Sequence, residues 1–277
     1  SVRSAVIGST FAARRAGISP QMAHPGLAGP RIELLLASRI AGDTARLGAE
    51  FESMLRDFSA DAGALLLLAD FAANSGDAGS VVRIEQQAEA QRFPTEAYGF
   101  LTVEAAIVAR DYPRALAGIR NLQQRGNEAA ARRSVLNSLQ AIAHCGIGDM
   151  LAARVFLAAY LVERDLRAEN LLAVANRLAE LNAGDLARQT LARAVEIDPA
   201  NQAALMRLIE FDLTLERVAD LPGHVERYLA MRRPSVELLR VVQHKLGSDH
   251  FLFSREAANA LRGVHQTLAN QQTLARW

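Results

Sequence analysis

The chain has 277 residues, and its 31 Lys and Arg almost balance 30 Asp and Glu, leaving a formal net charge of +1. That balance removes any chain-wide electrostatic attraction to nucleic acid or an anionic membrane. Half the residues are hydrophobic, only 5% are aromatic and 52 are alanine, a composition that favours helices. The longest apolar run, Ala62 to Ala69, falls far short of the roughly 20 residues that cross a bilayer. Cys145 is the single cysteine, which excludes an intrachain disulfide and a multi-cysteine metal site. Lys245 is the only lysine, an arginine bias expected first from codon usage in a GC-rich genome.

Residues 1–29 carry Arg3, Arg14 and Arg15 without one acidic residue, and run through Ser19-Pro20 and His24-Pro25-Gly26 to Gly29 and Pro30. They are expected to form a basic N-terminal arm or capping helix followed by a turn-rich linker. From residue 30 onward a period emerges. Gly42-Asp43, Gly76-Asp77 and Arg110-Asp111 follow one another at 34 residues, then Gly148-Asp149 after 38 and Gly184-Asp185 after 36. A second ruler is cleaner: Leu47, Val81 and Ala115 are spaced by 34, Ala153 follows after 38, then Ala187 and Leu221 after 34 each. The longer step implies an insertion near Gly126 to Arg132.

Between the turns the apolar spacing is helical. Leu65, Leu68, Ala69 and Ala72, and later Leu171, Val174, Ala175 and Leu178, fall at i, i+3, i+4 and i+7 and share one helix face. Ala187, Leu191 and Ala194 form the stripe of a following helix, which Pro199 ends. Each unit therefore reads as helix, tight turn, helix. Residues 30–234 are expected to hold about six such pairs, and 235–277 a degenerate last repeat or C-terminal capping helices.

These residues resemble the tetratricopeptide repeat family, whose unit is a helix pair of 34 residues. The best match runs from Ala168 to Asn201. Leu171, Val174, Ala175 and Leu178 stand at the first-helix positions, and Ala187, Leu191, Ala194 and Pro199 at those of the second. Glu196-Ile197-Asp198-Pro199 closes the unit. The resemblance implies an all-α solenoid of antiparallel helix pairs, a right-handed superhelix whose first helices line a concave groove.

Carried over by position, the groove residues are Ile32, Leu36 and Arg39; Leu66, Asp70 and Asn74; Phe100, Glu104 and Ile107. Ser138 and Ile142 follow, then Leu172 and Asn176, then Met206 and Glu210. The stripe is apolar, with Asp70, Glu104 and Glu210 as its acids. It suits a basic amphipathic helix or an extended peptide. It lacks the basic clamp with which chaperone-binding members of the family hold a C-terminal carboxylate.

No motif for catalysis or nucleotide binding is present. Cys145-Gly146-Ile147-Gly148 lies on a repeat turn, where glycine serves a helix C-terminus. His144 and Cys145 are adjacent on a helix, about 100° apart, and cannot act as a dyad; Cys145 is expected in the core. His244 and His250, with Asp249 near them, match no common ligand spacing, and no metal or cofactor is expected. Glu163, Asp165 and Glu169 are read as solvated acids.

The expected function is a noncatalytic scaffold for a protein or peptide partner. Alternatives are a scaffold segment of a larger bacterial secretion, pilus or exopolysaccharide-export protein, and, more remotely, an RNA-binding helical repeat, against which the acidic groove argues. The first residue is not methionine, which suits a processed product or a fragment. Compartment, cytoplasm or periplasm, and oligomeric state stay open.

Overall fold

The computed structural model describes residues 28–124 and 130–231. Among the described residues there are twelve α-helices and no strand. They are α1 (Ala28–Ala41), α2 (Thr44–Asp57), α3 (Ala62–Asn74), α4 (Ala78–Ala90), α5 (Glu96–Val108), α6 (Tyr112–Gln124), α7 (Ala130–Gly146), α8 (Met150–Leu161), α9 (Ala168–Glu180), α10 (Gly184–Ile197), α11 (Gln202–Thr214) and α12 (Leu221–Leu229). Consecutive helices pack as pairs and pairs stack on their neighbours, an all-α solenoid of helix pairs. The basic arm, the centre of the insertion and the C-terminal caps expected from sequence lie outside the described residues, as do His244, Asp249 and His250.

The period is written into one turn used six times. Each first helix ends on a residue in the left-handed region: Gly42, Gly76, Arg110, Gly148, Asn182 and Glu216, with φ between 56° and 83°. The next residue's N–H reaches back to the carbonyl five positions earlier, as in Asp77 to Ala72, Asp111 to Ala106 and Ala183 to Leu178. This is the Schellman closure, which satisfies carbonyls that a helix end leaves open. In the first four units the following aspartate then caps the second helix. Asp43, Asp77, Asp111 and Asp149 accept from the N–H groups of Arg46, Ser80, Arg114 and Ala152 at 2.9–3.1 Å. One Asp thus ends one helix through its backbone and starts the next through its side chain.

These turns correct the sequence reading at one point. In the fifth unit the left-handed residue is Asn182, and Gly184 opens α10. Counted from Asn182 the spacing to Gly148 is 34 rather than 36. The 38-residue step is real: α7 has 17 residues where α3, α5, α9 and α11 have 13, so the insertion lengthens a first helix by about one turn.

By contacts the chain divides into two compact units, Ser1–Val162 and Glu163–Trp277, where the sequence suggested one uninterrupted array. In the first, one core cluster runs from Leu35 and Met54 through Leu65, Leu68, Val81 and Ile84 to Leu101 and Ala105. In the second, Leu171, Ala175, Leu178, Ala187, Leu191, Ala194, Leu205 and Leu208 are fully buried. Val81, Ala115, Ala153, Ala187 and Leu221, the markers read from sequence, are all fully buried. They are the points where each second helix meets its partner.

Candidate functional site

In the first unit α3 packs side by side with α1 and with α5, and α5 with α7, so the first helices form a layer of their own. The positions assigned to its face divide in two. Leu36, Leu66, Asp70 and Ile107 are buried, as are Ser138 and Ile142; Ile32, Arg39, Phe100 and Glu104 are half-buried, and Asn74 is exposed. The buried apolar members pack in the core, which leaves Ile32, Phe100 and Glu104 as the accessible part of the stripe. Arg39 is engaged within the fold: its guanidinium lies 5.2 Å from the Phe71 ring centroid and donates to Ser75 at 3.0 Å.

Asp70 is the unusual member. It is 2% exposed, and neither carboxylate oxygen has a hydrogen-bond partner. Asn74 Nδ2 donates to the Asp70 backbone carbonyl at 2.9 Å, not to the carboxylate. Burial, with the charge of Glu104 adding to it, pushes the Asp70 carboxyl up to about 8. The equivalent position is Leu36 in the first repeat and Ile142 in the fourth. The backbone therefore accepts an aliphatic side chain there, and no packing requirement calls for an acid.

In the second unit Asn176, Met206, Glu210 and Leu172 are all half-buried. Here the acid is answered by a cation: Arg207 on α11 donates to Glu210 at 2.6 Å and to Asn176 at 3.3 Å, with its guanidinium 5.9 Å from the Phe211 ring. The acidic character expected along the whole stripe is thus confined to Asp70 and Glu104. Arg207 escaped the sequence reading although its spacing to Glu210, i to i+3, is that of a helix ion pair.

A polar cluster the sequence reading missed sits in the same unit. Asp212 is fully buried; its Oδ1 accepts from Arg188 Nε at 2.7 Å, and its Oδ2 lies 2.5 Å from His224 Nδ1. Arg188 also donates to Asp220 at 2.7 Å. One carboxylate therefore ties α10, α11 and α12 together. Asp212 stands at the register of Ala72, Ala106 and Leu178, so an acid at a core position was the available signal.

Cys145 is free and buried, and burial pushes its thiol up. The His144 ring stacks on Phe156 at 5.3 Å, and its Nδ1 lies 3.3 Å from Asp149. Among the described residues no group of three or more His, Cys, Asp or Glu is arranged to hold a metal ion, and no helix is long and apolar enough to cross a membrane. Compared with known proteins, the chain matches no family model, no curated protein and no solved structure.

Proposed function

We propose that the chain is a noncatalytic interaction scaffold of the tetratricopeptide type, whose first-helix face in the unit 28–162 holds a basic amphipathic segment of a protein partner. Asp70 carries this reading. A carboxyl buried without a partner costs stability, and the chain's own repeats, with Leu36 and Ile142, supply the aliphatic alternative. An acid kept at such a position, electrostatically coupled to the half-buried Glu104, supports recognition of a cation. The half-buried apolar residues Ile32 and Phe100 supply the surface on which the apolar side of the segment rests.

The test is a set of synthetic amphipathic peptides that differ only in one Arg replaced by citrulline, titrated into the full chain and into Phe100→Glu and Glu104→Gln variants with unchanged circular dichroism. Arginine peptides are expected to bind at least tenfold tighter than their citrulline forms, and Glu104→Gln should abolish that difference. Equal binding of both forms, or binding untouched by either variant, would refute the reading. Ile107 is unsuitable for such a test because it belongs to the core.

A further inference from the structure

The six repeats act as controls for one another, and one second helix departs from the rest on its outer face. In α8, Leu151 is 78% exposed, Val155 60% and Val162, at the C-cap, 78%. Ala158 between them is also exposed. At the same register α4 carries Gly79, Arg83, Gln86 and Ala90, and α10 carries Asp185, Gln189, Ala192 and Glu196. Stacking of the repeats does not account for the apolar residues, since the corresponding side chains of the other units are polar or small and mostly exposed.

The spacing of the stripe is informative. Residues 151, 155, 158 and 162 follow the 4-3-4 rhythm of a two-helix coiled-coil seam. When the stripe is set against its own reverse, Leu151 falls opposite Val162 and Val155 opposite Ala158, so each contact places a larger side chain against a smaller one. Ala152 and Ala159 flank the seam, and small residues there let two helices approach closely. Antiparallel helices also bring the positive end of each helix dipole beside the negative end of the other. The flanks carry no alternating charges that would select a foreign helix.

We infer that α8 is a homodimerisation surface, on which a second copy of this chain docks antiparallel about a two-fold axis between Val155 and Ala158. The helix is 12 residues long, about 18 Å. A contact of that length buries on the order of 1,000 Å² over both copies, the lower limit for a specific interface, so the pairing is weak and reversible.

Sedimentation velocity of the full chain from about 10 µM to 1 mM reads this directly, since weak interfaces of this size populate dimer only at high concentration. The weight-average mass should climb from 30.0 kDa towards twice that value. Leu151→Glu and Val162→Arg should each hold the chain as a monomer, and mixing the two variants should restore dimer, because the antiparallel register sets the new charges opposite each other. Both substitutions place charge where α10 already carries Asp185 and Glu196, so folding should survive, as matching circular dichroism would verify. A parent chain that stays monomeric at 1 mM, or a dimer indifferent to both substitutions, would overturn the inference. Failure of the mixed pair to associate would overturn the antiparallel register. A dimer lost in Phe100→Glu but kept in Leu151→Glu would move the interface away from α8.

Discussion

Replacing Asp70 by Asn should change how stability responds to pH. The carboxyl is raised from its ordinary 3.8 to about 8 in the folded chain, because burial and Glu104 both oppose its charge. Between these two values the folded protein holds a proton that the unfolded chain has released. Stability contributed by the neutral acid is therefore fully present below about pH 4 and is lost as pH rises towards 8. The slope is at most about 1.4 kcal/mol per pH unit. Across the window that sets a ceiling of roughly 5 kcal/mol, which relaxation and water entry should reduce to about 2–4 kcal/mol.

Asn cannot ionise, so the variant lacks this slope. Urea unfolding followed by circular dichroism should give nearly equal midpoints for parent and variant at pH 4.5, with the variant increasingly the more stable up to pH 9. The difference between the curves isolates Asp70, since other groups titrate alike in both. Asp57, which hydrogen bonds from Arg31 and Ser53 hold below the ordinary carboxylate range, contributes with the opposite sign and only at lower pH. Parallel curves across pH 4.5 to 9 would refute the reasoning and show that Asp70 is ionised, or solvated, at neutral pH.

Three further outcomes follow from the geometry. Arg188→Met should destabilise the second unit by about 3–5 kcal/mol, because it strips the buried Asp212 of a charged partner; a melting temperature within 1–2 °C of the parent would count against a structural role for that pair. Arg110→Gly should stabilise the chain by roughly 0.5–1 kcal/mol, since Arg110 holds φ 60° where the other repeats use Gly42, Gly76 and Gly148 and glycine adopts that region without a Cβ penalty; a loss of stability would point to an unrecognised contact of the side chain. Ala194→Leu should cost about 1–3 kcal/mol by overpacking a fully buried helix crossing, and unchanged thermal unfolding would contradict the repeat register.

The helix pairs were legible because each second helix begins on a small or aliphatic residue that the packing requires. Val81, Ala115, Ala153, Ala187 and Leu221 mark the units, and all are fully buried. The turns were legible only where glycine or aspartate announced them. Arg110, Asn182 and Glu216 take the same left-handed conformation with side chains that give little or no sign of it, and Gly184 drew the turn two residues too far. The candidate groove was legible as a register but not as a surface. Helical spacing puts Leu66, Asp70 and Ile107 on the first-helix face, yet which of them neighbouring repeats cover is decided by packing between units, which a single helix's periodicity does not contain. Asp212 illustrates the same limit: an acid near a helix end reads as solvated until Arg188 and His224, 24 residues before it and 12 after, are brought to it.

A repeat protein offers a way to tell structural departures from functional ones, because the fold itself shows what each position requires. At the core position of Asp212 other units carry Ala72, Ala106 and Leu178, and the change is answered inside the same unit by Arg188 and His224 at hydrogen-bond distance. The departure is balanced within the fold and needs no ligand to explain it. Asp70 departs from Leu36 and Ile142 without such an answer, since its carboxylate oxygens have no hydrogen-bond partner and its strongest electrostatic neighbour, Glu104, is of like charge. The outer face of α8 departs from the polar faces of α4 and α10 and leaves Leu151, Val155 and Val162 in solvent. Both unanswered departures carry a free-energy cost that the isolated fold does not recover. A cation at the first helices and a second copy at α8 are the complements that would recover it, and because the two sites draw on different chemistry, Glu104→Gln and Leu151→Glu should each remove one association and leave the other intact.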